Sequence, residues 1–265
     1  MPLDDSSALW KIDRAKELLD GLDIEVRAWI DTKPYGGYTY INPEYTRASF
    51  VIKVHKEPPI IRWSLIVADI IHNLRCALDH TFWAILQNRF PAGLPKGADK
   101  LSFPIWDGVP DSNQRGNFNC VGPVLFSVVD AVQPYRNPFD GLPVHPLAII
   151  RDIDNFNKHK LLFTVMPSIG RINVKVSGLR KQYEDLSFND FYRDEIKNDV
   201  EAAWSVFDVP HPYMKYEIVE LMFIIAIKHP VASRLGRDRD DYATLIDILI
   251  AEVRKVVAVL ALVAI

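Results

Sequence analysis

Apolar residues recur at steps of three and four along the first segment, at Leu9, Ile12, Ala15, Leu19, Leu22, Val26 and Trp29. That spacing is one face of a helix, predicted over residues 6–31. Ser6 or Ser7 can cap its start, and Gly21 interrupts it at a cost of about 1 kcal/mol. The stripe is close to a heptad, which predicts an antiparallel or dimeric helix partner. Residues 33–59 change period: turn chemistry in KPYGGYTY is followed by a β-branched and aromatic run from Ala48 to His55, the pattern of a hairpin ended by Pro58 and Pro59. The clearest long helix is predicted over residues 60–88, with Val67, Ile70, Leu74, Ala77, Leu78, Thr81 and Ile85 on one side.

Residues 91–121 are dense in turn formers, among them Pro91, Gly93, Pro95, Gly97, Pro104, Gly108, Pro110 and Gly116. A connection of that length is expected to be either functional or poorly ordered. A short helix is predicted over 122–132 and a longer one over 146–159, through Leu147, Ile150, Ile153 and Phe156. Leu161–Met166 and Ile169–Ser177 read as two strands joined by a turn. Residues 186–204 carry weak helical spacing at Phe188, Tyr192, Ile196 and Val200. Lys215–Lys228 reads as a strand or a bent strand pair, Arg237–Asp241 as a charged loop, and 241–263 as a last helix. That helix turns apolar all round toward its end, as helices in a core or an oligomer interface do. Helices and antiparallel strands interleave without a βαβ rhythm, a repeat or a linker. The expectation is a single α+β domain over 1–265, a bundle of long helices with an inserted antiparallel sheet.

Composition narrows the class. With 49% apolar and 25% charged residues over 265 positions, the chain is globular rather than fibrous or disordered. A net charge of −3 gives no bulk pull toward nucleic acid or an anionic membrane, so a phosphate ligand would need a local basic patch. Two cysteines, Cys76 and Cys120, exclude a disulfide scaffold and a four-cysteine zinc site. The acidic first residues lack the apolar core of a secretory leader. The longest apolar run, Val256–Ile265, is about half of a bilayer span. These features predict a soluble, cytoplasmic protein. The glycine-rich phosphate loops, the G-x-S-x-G elbow and H-E-x-x-H are all missing from the sequence, so P-loop, dinucleotide, α/β-hydrolase and zincin chemistry lose their usual carriers.

The 60–88 helix holds the most informative polar residues. On a regular helix, Asp69, His72, Asn73, Cys76, His80 and Trp83 fall within a wedge of about 100°, flanked by Arg75 and Asp79. A solvated face normally carries Lys, Glu and Gln. This one carries poorer helix formers common in buried networks and sites, so the helix is expected to have partners on both sides. His72, Cys76 and His80 look like a ligand ladder, but i and i+8 lie about 12 Å apart along the axis. One ion can bind only an adjacent pair, with further ligands from elsewhere.

The run Arg75-Cys-Ala-Leu-Asp-His80 is R-x4-H. It resembles the motif of the HEPN superfamily, helical proteins that include many metal-independent ribonucleases of toxin and phage-defence systems. The wider string HNLRCALDH is also similar to one found in uncharacterised bacterial proteins. The resemblance implies that Arg75 contacts the scissile phosphate and that His80 is the acid–base for attack by the ribose 2′-OH, without a metal or other cofactor. It implies RNA as a partner, a homodimer, and an antitoxin or other protein partner of unknown identity. The residue types suit that chemistry: arginine forks onto phosphate and histidine both takes and gives protons near neutrality. Positions 75 and 80 differ by about 140° and 7.5 Å on a regular helix. They converge on one phosphate through the reach of Arg75, a distorted turn or a second subunit.

A second polar cluster, RDIDNFNKHK at 151–160, ends one predicted helix. Asp152, Asn155 and His159 share a face; Asp154, Asn157 and Lys158 lie nearby. The cations suit a helix C-terminus. The expectation is that this segment abuts the 69–83 helix and supplies Asp154 or Asp152 to orient a histidine, with Lys158 near an anionic ligand. The candidate site is thus Arg75 and His80, supported by Asn73, Asp79, Asp154, Asn157, Lys158 and His159, with no metal. His145, His211 and His229 sit beside prolines and read as ordinary loop residues. Tyr35, Tyr38 and Tyr40 read as one face of the hairpin. Two alternatives stand beside the ribonuclease reading. One is a non-catalytic interaction or regulatory protein with a buried polar network; the other is a metal-assisted hydrolase.

Overall fold

Two sets of segments, interleaved along the chain, build separate cores. Our computed structural model describes residues 6–140, 142, 144–159, 164–178, 196–228 and 242–263. One unit gathers Met1–Asp23, Arg62–Thr164 and Lys228–Ile265; the other gathers Ile24–Ile61 and Val165–Ile227. Each is discontinuous in sequence, which is why no linker composition marks a boundary. The fold class is α+β.

The first unit is helical. Helix α1 (Ser6–Ile30) enters it with Ala8, Ile12, Ala15, Leu19 and Leu22 buried. The stripe continues in the second unit through Val26 and Trp29. Its steps alternate four and three without exception, a strict heptad seam. Leu9, expected on that seam, is 42% exposed, and Ala8 takes its place. The predicted helix partner lies in the same chain. Helix α6 (Tyr242–Val263) runs antiparallel to α1, since Asp13 meets Arg254, Lys16 meets Asp247, and Asp23 accepts from the Tyr242 hydroxyl. Helix α6 buries Leu245, Ile246, Leu249, Val253, Val256 and Leu260 and leaves Leu262 exposed.

Helix α2 (Ile60–Arg89) is the central element, with the predicted stripe from Val67 to Ile85 wholly buried. Its other face is more open than expected: Asp69, His72 and Trp83 are exposed, and Asn73, Cys76, Asp79 and His80 half-buried. The turn-rich connection after α2 is folded down rather than loose. It contains a short helix α3 (Ser112–Asn117) and leads into α4 (Pro123–Ala131). Phe82 of α2 meets Phe103 and Phe118, and Trp106 meets Phe118 and Phe126, with ring centres 5.5–6.4 Å apart. Offset and edge-on aromatic pairs of this kind add to area burial. Helix α5 (Pro146–His159) completes the unit.

The second unit is built on strands. The hairpin forms as predicted, β1 (Tyr35–Ile41) against β2 (Arg47–Val54). Gly37 is required there, because a Cβ would stand 2.3 Å from the Phe50 ring. A later strand, β4 (Val200–Val206), pairs antiparallel with the far edge of β2. Residues 196–204 are therefore not helical: Val200 opens a strand whose backbone is satisfied by β2, and Ile196 is buried in the strand core. Residues 186–195 lie outside the described residues. The two strands predicted around 161–177 are one, β3 (Thr164–Ser177), paired with β5 (Lys215–Lys228). Pro167 does not break it. A proline is tolerated in a strand that keeps a free edge, and its carbonyl accepts from Ile196 N–H at 3.0 Å. Residues 161–163, the loop 237–241 and His229 lie outside the described residues. Phe50, Ile52, Ile169, Ile172, Ala203, Phe207 and Tyr216 form the shared core.

Candidate functional site

The polar residues of α2 divide into two groups that face different neighbours within the helical unit. The first faces the connection after α2. Arg75 Nη2 donates to Asp79 Oδ1 at 2.9 Å and to the Phe103 carbonyl at 2.6 Å, and Phe103 N–H donates to the same Asp79 oxygen at 2.8 Å. Two side chains one turn apart thus satisfy both backbone groups of one buried residue. Burial pushes the Asp79 carboxyl above its ordinary range, against the pull of Arg75 and the Phe103 N–H. The next residues are held in the same way. Gln133, fully buried, donates to the Pro104 carbonyl and accepts from Trp106 N–H at 2.8 Å. Arg151 of α5 donates to the Ile105 carbonyl and pairs with Asp107 and Asp152. An extended segment packed under aromatic rings cannot leave its backbone groups unpaired, and these side chains pair them.

The second group faces α1 and α5. Ser7 Oγ of α1 lies 2.6 Å from His80 Nδ1. Asp154 of α5 meets His72 Nδ1 at 3.0 Å, and its other oxygen takes Lys158 Nζ at 2.6 Å. His72 Nε2 in turn lies 3.4 Å from Cys76 Sγ. Asp154 is 4% exposed while His72 is 51% exposed, so a buried carboxylate positions an accessible ring. Burial pushes the Cys76 thiol up, partly offset by Lys11 and Lys158 and reinforced by Asp79 and Asp154. Lys11 and Lys158 bring positive charge near this face, the Lys158 charge being paired with Asp154.

The expected site residues therefore fall apart in an informative way. Arg75 and His80 join different networks. Asp79 belongs with Arg75. Asn73 Nδ2 donates to the Asp69 carbonyl of its own helix at 2.7 Å. Asp154, not Asp152, orients a histidine, and that histidine is His72. Asn157 is half-buried on α5. His159 is the last residue of α5; its side chain and Lys160 lie outside the described residues. The i, i+4 spacing of His72 and Cys76 put them side by side in the sequence as a candidate metal-binding pair; the structure adds Asp154 on the far side of the His72 ring. Sequence reasoning took His145 for an ordinary loop residue. His145 is buried at the start of α5, 3.8 Å from the buried Glu252 of α6, and burial lowers its pKa.

Among the described residues, no group of three or more His, Cys, Asp or Glu is placed to hold a metal ion, which leaves the metal-assisted hydrolase without a ligand set there. No helix among them is long and apolar enough to cross a membrane. No family model, curated protein or solved structure matches the chain.

Proposed function

We propose that the chain is a metal-independent ribonuclease of the HEPN type, working as a homodimer on single-stranded RNA. The observation that carries this reading is His80. Its Nδ1 is engaged by Ser7, and its Nε2 has no hydrogen-bond partner among the described residues, on a half-buried ring. In this reading His80 takes the proton of a ribose 2′-OH. The 2′ oxygen attacks the adjacent phosphorus, and the 5′ oxygen leaves with a proton, giving a 2′,3′-cyclic phosphate and a 5′-OH. Lys158 and Lys11 supply positive charge to the phosphate. Among the described residues Arg75 bonds through Nη2 alone, to Asp79 and Phe103, which leaves Nε and Nη1 for a phosphate that a second subunit brings within reach.

A second reading has its own support. The Arg75–Asp79–Phe103 contacts are those of a structural tie, as in a non-catalytic interaction protein. RNA cleavage by the purified chain in EDTA separates the two when His80→Ala and Arg75→Ala are compared by rate and by melting. The ribonuclease reading expects His80→Ala to abolish cleavage with the melt retained. Absence of cleavage by the unmodified chain, together with a large melt loss in Arg75→Ala alone, establishes the second.

A further inference from the structure

The Asp154–His72–Cys76 row stands outside the ribonuclease reading, which uses His80 and an RNA phosphate. Its hydrogen bonds can be assigned by elimination. An ionised carboxylate only accepts, so the proton between Asp154 and His72 sits on Nδ1. In the neutral ring Nε2 then carries the lone pair, and it faces Cys76 Sγ at 3.4 Å. The thiol is the donor and the imidazole the base. The order is the one that activates a nucleophile: an attacking atom, a base within reach, and a buried group that fixes the base's tautomer. Lys158 Nζ meets the other Asp154 oxygen at 2.6 Å within the helical unit.

We propose that Cys76, His72 and Asp154 form a thiol site that takes an acyl group from an activated ester or thioester and passes it to water. The Cys76 S–H proton moves to His72 Nε2 as sulfur bonds to the acyl carbon. The departing thiolate or alkoxide leaves with that proton. Water then attacks the acyl–sulfur carbon, giving its proton to His72, and the carbon–sulfur bond breaks. The carboxylic acid departs, and the proton returns to Cys76. Cys76 and His72 are the catalytic residues; Asp154 is a positioning residue. Lys11 and Lys158, whose fields reach Cys76, favour the anion that develops on the acyl oxygen. Because burial holds the resting group as a thiol rather than a thiolate, the reaction depends on His72 for its first step.

The test uses the full chain in a Cys120→Ser background with p-nitrophenyl acetate, following the nitrophenolate burst and the acetyl mass on the protein. The expected result is one acetyl group per chain on Cys76, abolished in Cys76→Ser and formed about a hundredfold more slowly in His72→Gln. Asp154→Asn should slow acylation and change its pH profile, because the ring can then take the other tautomer. Circular dichroism confirms that the half-exposed Cys76 and His72 variants fold. If Asp154→Asn fails to fold, the His72→Gln rate carries the decision. Acetylation of Cys76 no faster than in the urea-unfolded chain, or an unchanged rate in His72→Gln, overturns the proposal. RNA cleavage in EDTA is measured on the same Cys76→Ser protein, and its retention shows that this site and the ribonuclease reading stand or fall separately.

Discussion

Two sides of one helix use similar residue types in opposite ways. Toward the connection after α2, Arg75 Nη2 and Asp79 Oδ1 are committed: their bonds go to each other and to the backbone of Phe103. Toward α1 and α5, the exposed His72 ring lies between Asp154 and Cys76, and the half-buried His80 is held at one ring nitrogen by Ser7. The first arrangement solves a folding problem. A buried extended segment has polar backbone groups that must be paired, and three side-chain sets from α2, α5 and Gln133 pair them. The second pairs one buried carboxylate, Asp154, through His72 and Lys158, and leaves Cys76 and His80 with no buried backbone group to satisfy. Polar groups that folding does not require are where chemistry is best sought.

The contrast is broken most directly at Arg75. Arg75→Ala leaves Asp79 and the Phe103 carbonyl without their shared donor in a site where the arginine is only 12% exposed. The expected loss is about 2–4 kcal/mol, between that of a charged hydrogen bond and that of a broken buried pair. Chemical denaturation measures it. A loss under about 1 kcal/mol would mean that the tie contributes little to the fold. Gln133→Ala should cost somewhat less, about 1–3 kcal/mol, by orphaning Trp106 N–H. Its effect should be smaller than additive with Arg75→Ala, since both release one segment.

His145 extends the comparison to a committed histidine. Burial lowers its pKa below the ordinary value near 6.5, with Glu252 opposing and Lys255 assisting. In the unfolded chain it takes a proton as pH falls through about 6.5, while the folded ring resists. The unfolded state therefore binds more protons in that window. Stability is full above it and declines as pH falls toward the folded pKa. His145→Gln should flatten that decline in melts taken between pH 7 and 5. An unchanged slope would mean that the ring is not desolvated. His80→Ala, by contrast, removes one partly exposed hydrogen bond to Ser7 and should cost no more than about 1 kcal/mol. A melt as depressed as that of Arg75→Ala would erase the distinction between the two sides of α2.

The helical half of this fold is legible because its signal is local. Heptad spacing in α1, the apolar stripe of α2 and the wedge of α5 are read within a few turns, and each marks a buried face. The strand half is less so. The weak helical spacing that runs into Ile196 and Val200 is overridden by pairing with β2, a partner some 150 positions away in sequence. Propensity has no access to that contact. The same limit applies to the site. R-x4-H is visible as letters, but what Arg75 does is set by Phe103, which lies in a stretch that reads as turns. The carboxylate for His72 was anticipated on α5 because a polar helix face needs a counterpart, whereas Glu252 for His145 gave no sign, being one acid among apolar neighbours in α6.

The smallest expected effect tests the finest reading of the pattern. Leu9 and Ala8 are adjacent, and hydrophobicity alone favours Leu9 for the seam. The structure buries Ala8, because only position 8 stands seven before Ala15 and four before Ile12. A seam position beside a tight partner takes a small residue, and Leu9 is left outward beside Trp10, which is 71% exposed. Leu9→Ser should therefore change stability by no more than about 0.5 kcal/mol, as surface substitutions do. A loss of about 2 kcal/mol or more would place Leu9 in a core, either that of α1 itself or one formed with a second copy. Sedimentation of the same variant tells these apart. A shift toward monomer would identify Leu9 and Trp10 as a dimer contact on the turn of α1 that carries Ser7, next to the ring of His80.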